Sequence, residues 1–461
     1  MPDTRSLAAR ALPWMTWALT FHILVIALLF GLLRLPTGVV RGIAAWKEIA
    51  GVCLLLVVIA RSAFGRGPHV TVGTADLFAG GWIALTLVFF LTQSVLLHDF
   101  VPLKAASFGL RDAAYFVLFY FVGRATPEIG RDDRMLKRAF AVLCVTCTVA
   151  VVEQMFVTPQ MLVLLGVGSY VRDFLGTEVF TQGNVYGLPD NYWSLMGGHL
   201  VRRSGSVFLS SQGFALIFVV LLPPATIWVL RREGRGRLAA RIGYGIIWAG
   251  LLVTFTRAAI AVGAMQLAVI LGSRHKVTSV ALAVAVGLAV GLASMAVVPG
   301  LATFVLETLT WQSGSSASHL KDWVAGVTAF LEQPWGYGLG TTDQSAVRGG
   351  LKPITADNLY LKYAVEMGVP GLVLLLGTLG SFIRAGAKLS RFASDPNQRA
   401  IGMTVVLATV GVVLYGVTGV IFSDPLVAYL LFWFAGAAVT LAQQIPETSP
   451  VALRAYAEAY A

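Results

Sequence analysis

The chain has 461 residues, of which 57% are hydrophobic and 12% charged, with a mean hydropathy of +0.77. A water-soluble globular protein carries about 25% charged residues, so that class is excluded and a polytopic membrane protein is indicated. The net charge of +11 does not point to nucleic acid, because the basic residues fall in short clusters between apolar runs and not along one stripe.

Runs near the roughly twenty residues needed to cross a bilayer predict twelve spans, at about 14–33, 43–60, 77–97, 110–123, 139–157, 206–230, 242–255, 258–272, 277–298, 358–383, 400–421 and 426–442. The fourth, seventh and eighth are short or interrupted. The first run is too long for a signal-peptide core and lacks a small-residue cleavage site, so it reads as a membrane helix. Cys144 and Cys147 lie within an apolar run, as does Cys53, and read as small helix positions with no disulfide framework. With the N-terminus in the cytoplasm, 21 of the 34 Lys and Arg fall on the inner side and 13 on the outer. Both termini are then cytoplasmic, and two long segments, 158–205 and 299–357, share the opposite face. The expected fold is an all-α integral membrane protein, one polytopic domain over 1–461, with the second long segment partly helical.

Basic residues outside oppose the positive-inside bias and need another reason. Arg257 stands at the junction of two apolar runs with no polar loop to solvate it. It can hold an anion bidentately or snorkel to lipid phosphates. Arg202 and Arg203, just before the sixth span, can bind an anion or anchor the chain to headgroups. In the long loop, residues 315–318 can cap a helix from about His319 to Glu332, whose Leu320, Trp323, Val324, Val327, Phe330 and Leu331 predict one buried stripe. His319 and Asp322, three apart, share a face. They can form an oriented histidine base or a solvated helix edge. His199, His319 and Asp322 do not show metal-ligand spacing, so no metal is expected. Gly336 to Gly340 follows a helix and lacks a Lys-Ser/Thr partner, which leaves a tight turn bringing backbone close to a ligand in place of a nucleotide loop. Asp357 stands at the mouth of the tenth span, as an N-cap or as a general base.

Taken in order, Arg203-Ser204-Gly205-Ser206-Val207-Phe208, Phe255-Thr256-Arg257, Ser318-His319-Leu320, Pro334-Trp335-Gly336-Tyr337-Gly338-Leu339-Gly340, Asp357-Asn358-Leu359-Tyr360-Leu361 and Glu366-Met367-Gly368-Val369-Pro370-Gly371 resemble the O-antigen ligase and O-antigen and exopolysaccharide polymerase superfamily. The resemblance covers residues 200–384 in motifs and the whole chain in span count. It implies a bacterial inner-membrane glycosyltransferase whose active face is periplasmic. Such an enzyme takes an undecaprenyl-diphosphate-linked oligosaccharide and passes it to a glycan repeat unit (polymerase) or to lipid A-core (ligase), with no cofactor and no metal. Arg257, Arg203 and Arg202 would then meet the diphosphate, with Asp357, or His319 with Asp322, as the base and Tyr337, Asn358, Tyr360 and His199 lining the substrate site. The ligases carry a histidine where this chain has Asp357, and that departure favours the polymerase. A secondary transporter or exporter is the alternative of another class, with Glu153 as its main buried charge. The absence of an internal repeat and the long outer segments speak against it.

Overall fold

A computed structural model describes residues 6–65, 71–96, 101–176, 187–196, 199–273, 301–310 and 314–446. Among them, nine helical stretches are long and apolar enough to cross a bilayer: Leu7–Leu32, Thr37–Ala63, Thr74–Gln93, Leu103–Arg124, Arg134–Phe156, Ser211–Leu230, Leu359–Phe392, Pro396–Tyr415 and Pro425–Gln443. The predicted seventh and eighth spans are present as the helices Gly236–Leu252 and Arg257–Gly272, at 17 and 16 residues. Both are short for the roughly twenty residues of a full crossing. The predicted ninth span, 277–298, lies outside the described residues.

Ser211–Leu230 and Pro425–Gln443 form the centre of the bundle and are buried nearly throughout. Lipid offers no hydrophobic drive between helices, so close packing of small residues has to hold them. Gly123 and Gly436 bring Leu103–Arg124 and Pro425–Gln443 together, and a Cβ on either would stand within 2.2 Å of a backbone oxygen of the other helix. Cys147 works the same way: a Cβ on Gly250 would meet its Sγ at 2.5 Å. Cys144 and Cys147 are thus helix-packing positions, whereas Cys53 is exposed.

The connections sort to two ends. At one, Arg232 meets Asp133 at 3.1 Å, Arg231 donates to the Pro396 carbonyl at 2.6 Å, and Asn397 donates to the Arg131 carbonyl at 3.3 Å. Three of the short basic connections therefore gather on one face, as the charge bias requires. At the other end, the 199–205 stretch lies against the turn 253–256, and the long loop folds over the mouth of Leu359–Phe392. An antiparallel hairpin, Trp193–Met196 with His199–Arg202, is an addition to the all-α expectation.

The helix of the long loop runs from Gly314 to Glu332, five residues earlier than expected, and packs on Leu359–Phe392. Its buried side is made of Ser316, Gly326 and Ala329. The expected buried stripe is corrected here: Leu320, Val324 and Leu331 are 51%, 59% and 68% exposed. Trp323 and Phe330 are half-buried, so periodicity gave the right helix and only part of its inside: small residues make the close contact and leave Leu320, Val324, Val327 and Leu331 outward. Trp335, exposed like them, adjoins Val369, whose N–H donates to the Pro334 carbonyl and whose side chain is exposed on the long helix. The exposed large apolar residues of this helix fit the apolar face of an interfacial amphipathic helix.

Candidate active site

Leu359–Phe392 is broken at Gly368, whose φ of 66° and ψ of −162° are not helical. Pro370 follows, and its missing N–H together with the break strips the preceding turn of its helical partners. The loop supplies the replacements: Tyr337 N–H donates to the Val365 carbonyl at 2.7 Å and Gly338 N–H to the Glu366 carbonyl at 3.1 Å. Irregular backbone at such depth is tolerated where protein satisfies it. The Gly-rich turn thus makes a close approach to the backbone of the long helix. A Cβ on Gly340 would lie 2.0 Å from the Ala105 carbonyl oxygen. Tyr337 has its hydroxyl 3.4 Å from Glu332.

The same docking creates a buried ionic set that sequence reading missed. Lys362 Nζ lies 3.4 Å from Asp343 and 3.5 Å from Glu366, and Thr342 Oγ1 donates to Glu366 Oε1 at 2.5 Å. A Lys-x-x-x-Glu pair inside an apolar span was the available signal, since i,i+4 residues face one another and such charges are rare there. Burial pushes the Asp343 carboxyl up, and Lys362 opposes that.

Beside it, His319 Nδ1 lies 2.6 Å from Asp357 Oδ2. This joins the two residues that sequence reading held as rivals. The N–H direction is poorly aligned on the oxygen, so this is a charge contact more than a directed hydrogen bond. Asp357 raises the His319 pKa above its usual 6.5, against burial; Asp322 adds to the rise and Arg257 opposes it. His319 therefore feels Arg257, and Asp357, not Asp322, is its contact. The side chains are 21% and 43% exposed, so the pair opens outward.

Asp357 is not the helix cap. Asn358 is: its Oδ1 accepts from Tyr360 and Leu361 N–H at 2.9 and 3.1 Å, and its Nδ2 donates to the Val417 carbonyl at 2.9 Å. Asp357 stands just before it with a φ of 37°, in the left-handed region that costs most residues free energy. Tyr360 donates its hydroxyl to the Val413 carbonyl at 2.6 Å. Asn358 and Tyr360, two of the four substrate-site candidates, thus make hydrogen bonds within the protein.

The arginines divide. Arg203 Nε donates to the Thr254 carbonyl and Nη2 to Thr256 Oγ1, both at 2.8 Å, which straps it to the turn ahead of Arg257. Burial pulls its pKa down to about 10, with Arg257 adding to the effect. Two guanidiniums within each other's field are a natural anion site. Arg202 instead donates to the Glu153 carbonyl at 2.6 Å and to the Val157 carbonyl, closing the C-terminus of Arg134–Phe156. Glu153 itself accepts from Ser204 Oγ at 2.6 Å and Ser206 N–H at 2.8 Å, and so fixes the bend after Arg203. His199 opens the second strand of the hairpin. Among the described residues no group of three or more His, Cys, Asp or Glu side chains is placed to hold a metal ion.

Residues 242–376 match the family model described as O-antigen ligase. The matched stretch holds Arg257, His319 and Asp357 and stops short of Arg203. The resemblance to the O-antigen ligase and polymerase superfamily is thereby supported over that region. No curated protein matches the chain.

Proposed function

We propose that this chain, similar over residues 242–376 to the O-antigen ligases, is a glycosyltransferase of the periplasmic face of the inner membrane. It takes an undecaprenyl-diphosphate-linked glycan and polymerises or transfers it without a nucleotide sugar or a metal. The observation that carries the reading is the His319–Asp357 contact lying within the field of Arg257. An acceptor hydroxyl attacks the anomeric carbon as the bond to the diphosphate oxygen breaks. Its proton passes to His319 Nε2, since Nδ1 faces Asp357. Asp357 orients the ring and steadies the imidazolium. Negative charge grows on the departing diphosphate, where Arg203 and Arg257 stabilise it more in the transition state than in the ground state.

The ligases carry a histidine at the position of Asp357. This chain brings an imidazole to that carboxylate from the loop helix, so the base is present from a different element. We prefer the polymerase to the ligase because the acidic residue before Asn358 goes with the Ser318-His319-Leu320 and Gly336 to Gly340 motifs. A reconstituted assay with purified undecaprenyl-diphosphate glycan tests the reading. Arg257→Ala should abolish transfer in a folded protein and Arg257→Lys should recover little, because a point charge does not reproduce a two-pronged contact. Near-normal transfer by Arg257→Ala would reduce the arginine to an anchor and remove the diphosphate site.

A further inference from the structure

Of the 13 Lys and Arg assigned to the outer side, five line a single cavity of about 1060 Å³: Arg41, Lys47, Lys104, Arg111 and Arg348. Small-ligand pockets span roughly 300–1,000 Å³, so this space takes several rings at once. Three carboxylates share the wall, and each has a partner. Glu48 lies 3.0 Å from Lys47, Asp112 accepts from Arg111 Nε and Nη2 at 2.9 and 2.7 Å, and Asp173 is taken by Arg172, which does not line the cavity. Arg41, Lys104 and Arg348 make no ion pair among the described residues.

Arg348 is pulled below its usual pKa by burial and then by Arg111, with Arg41 adding to the effect. Like charges drawn together in a half-enclosed space destabilise one another until an anion joins them. The wall also presents flat apolar surface in Tyr115, Phe174 and Tyr429. Arg41 Cζ sits 5.9 Å from the Phe174 ring centroid. Cations from separate elements with aromatic faces between them fit ring-shaped anions better than one small phosphate headgroup.

The short helix Asp343–Gly349 links this space to the cluster around His319. Asp343 meets Lys362 and lies in the field of Asp357. Ser345 donates to Asp112 at 2.6 Å, and Arg348 enters the cavity.

We infer that this cavity binds acidic saccharide, sugars bearing carboxylate or phosphate groups, and that it holds the acceptor glycan, a role resting on the glycosyltransferase reading above. The full chain in phosphatidylcholine nanodiscs is titrated calorimetrically with tri-galacturonate, with glucose 6-phosphate, and with maltotriose as the neutral control. An acidic probe should bind more weakly as salt rises, and the double variant Arg41→Gln, Arg348→Gln should weaken it at least tenfold at an unchanged unfolding temperature. Maltotriose should not compete. Failure of both acidic probes, or equal binding by the double variant, overturns the assignment. So does phosphatidylglycerol that co-purifies with wild type, blocks the probes and is lost from the double variant, since the occupant is then a lipid headgroup. In the transfer assay the double variant should raise the acceptor KM and leave kcat nearly unchanged. Binding without transfer would sink the enzyme reading and spare the cavity; transfer without binding would do the reverse.

Discussion

Lys362, Glu366, Asp343 and Thr342 end their charges and hydrogen bonds on one another, and the Lys362 and Glu366 side chains are 5% and 1% exposed. His319 and Asp357, in the same loop-to-helix junction, are 21% and 43% exposed, and their contact is short but poorly aligned. The first set pairs its cation with two carboxylates and a hydroxyl, though Asp343 keeps 24% of its side chain exposed. The second keeps a ring nitrogen and a carboxylate oxygen uncommitted. Perturbed, charged residues in a cleft are therefore of two kinds, and the division of their bonds separates scaffold from chemistry better than burial alone.

The sharpest way to break that comparison is to remove the cation of the scaffold set. Lys362→Met leaves two buried carboxylates facing each other, a loss of about 3–5 kcal/mol for an unpartnered buried charge, against a total stability of roughly 5–15 kcal/mol. The variant should fail to give a monodisperse peak in detergent. Adding Glu366→Leu should restore part of the loss, because one stranded charge goes. A well-folded Lys362→Met single variant would show that the set is not what pins the loop.

His319→Ala makes the opposite test. Transfer should fall by about 10²–10⁴, the usual effect of losing a general base, with the unfolding temperature lowered only slightly, because the side chain is partly exposed and its contact with Asp357 is poorly directed. Equal loss from Asp322→Asn would contradict the assignment, since Asp322 acts on the ring only through its field.

The pH profile sharpens the pair further. Asp357 raises the His319 pKa, so the contact stabilises the fold fully below 6.5 and that contribution fades as pH climbs through the raised value. The base form grows over the same interval, so transfer should rise with pH through a midpoint above 6.5. Asp357→Asn should move that midpoint down and lower the rate at every pH. An unmoved midpoint would mean that the two side chains do not share the titration.

The span pattern, the basic connections and the loop helix were legible in the sequence because each rests on local periodicity or charge. Eleven of the twelve expected spans meet helices among the described residues, two of them short. The site was legible as a set of residues and not as a set of contacts. His319 and Asp322 share a helix face by spacing, yet the partner at 2.6 Å is Asp357, and only tertiary packing of Gly326 against Leu361 and Ala356 decides that. The outward stripe on Gly314–Glu332 misled for a related reason. In lipid, large apolar residues need no interior, so periodicity gives a face without saying which way it points. The five-cation cavity was invisible because its residues come from helices far apart in the chain.

The smallest expected effect separates two adjacent residues. Asn358 accepts two N–H groups at the start of Leu359–Phe392 and donates to Val417, so Asn358→Ala should cost about 0.5–2 kcal/mol through the lost cap. Asn358→Asp keeps the accepting oxygen and places a negative charge at a helix N-terminus, which offsets part of the lost bond to Val417. Stability should thus fall in the order Asn358, Asp, Ala, while transfer by Asn358→Asp stays within a few-fold of wild type. Asp357→Asn, one residue earlier, should invert that pattern, with stability nearly kept and transfer largely lost. Matching activity losses at the two positions would mean that the helix mouth acts as one unit, and that the carboxylate beside His319 has no role beyond its geometry.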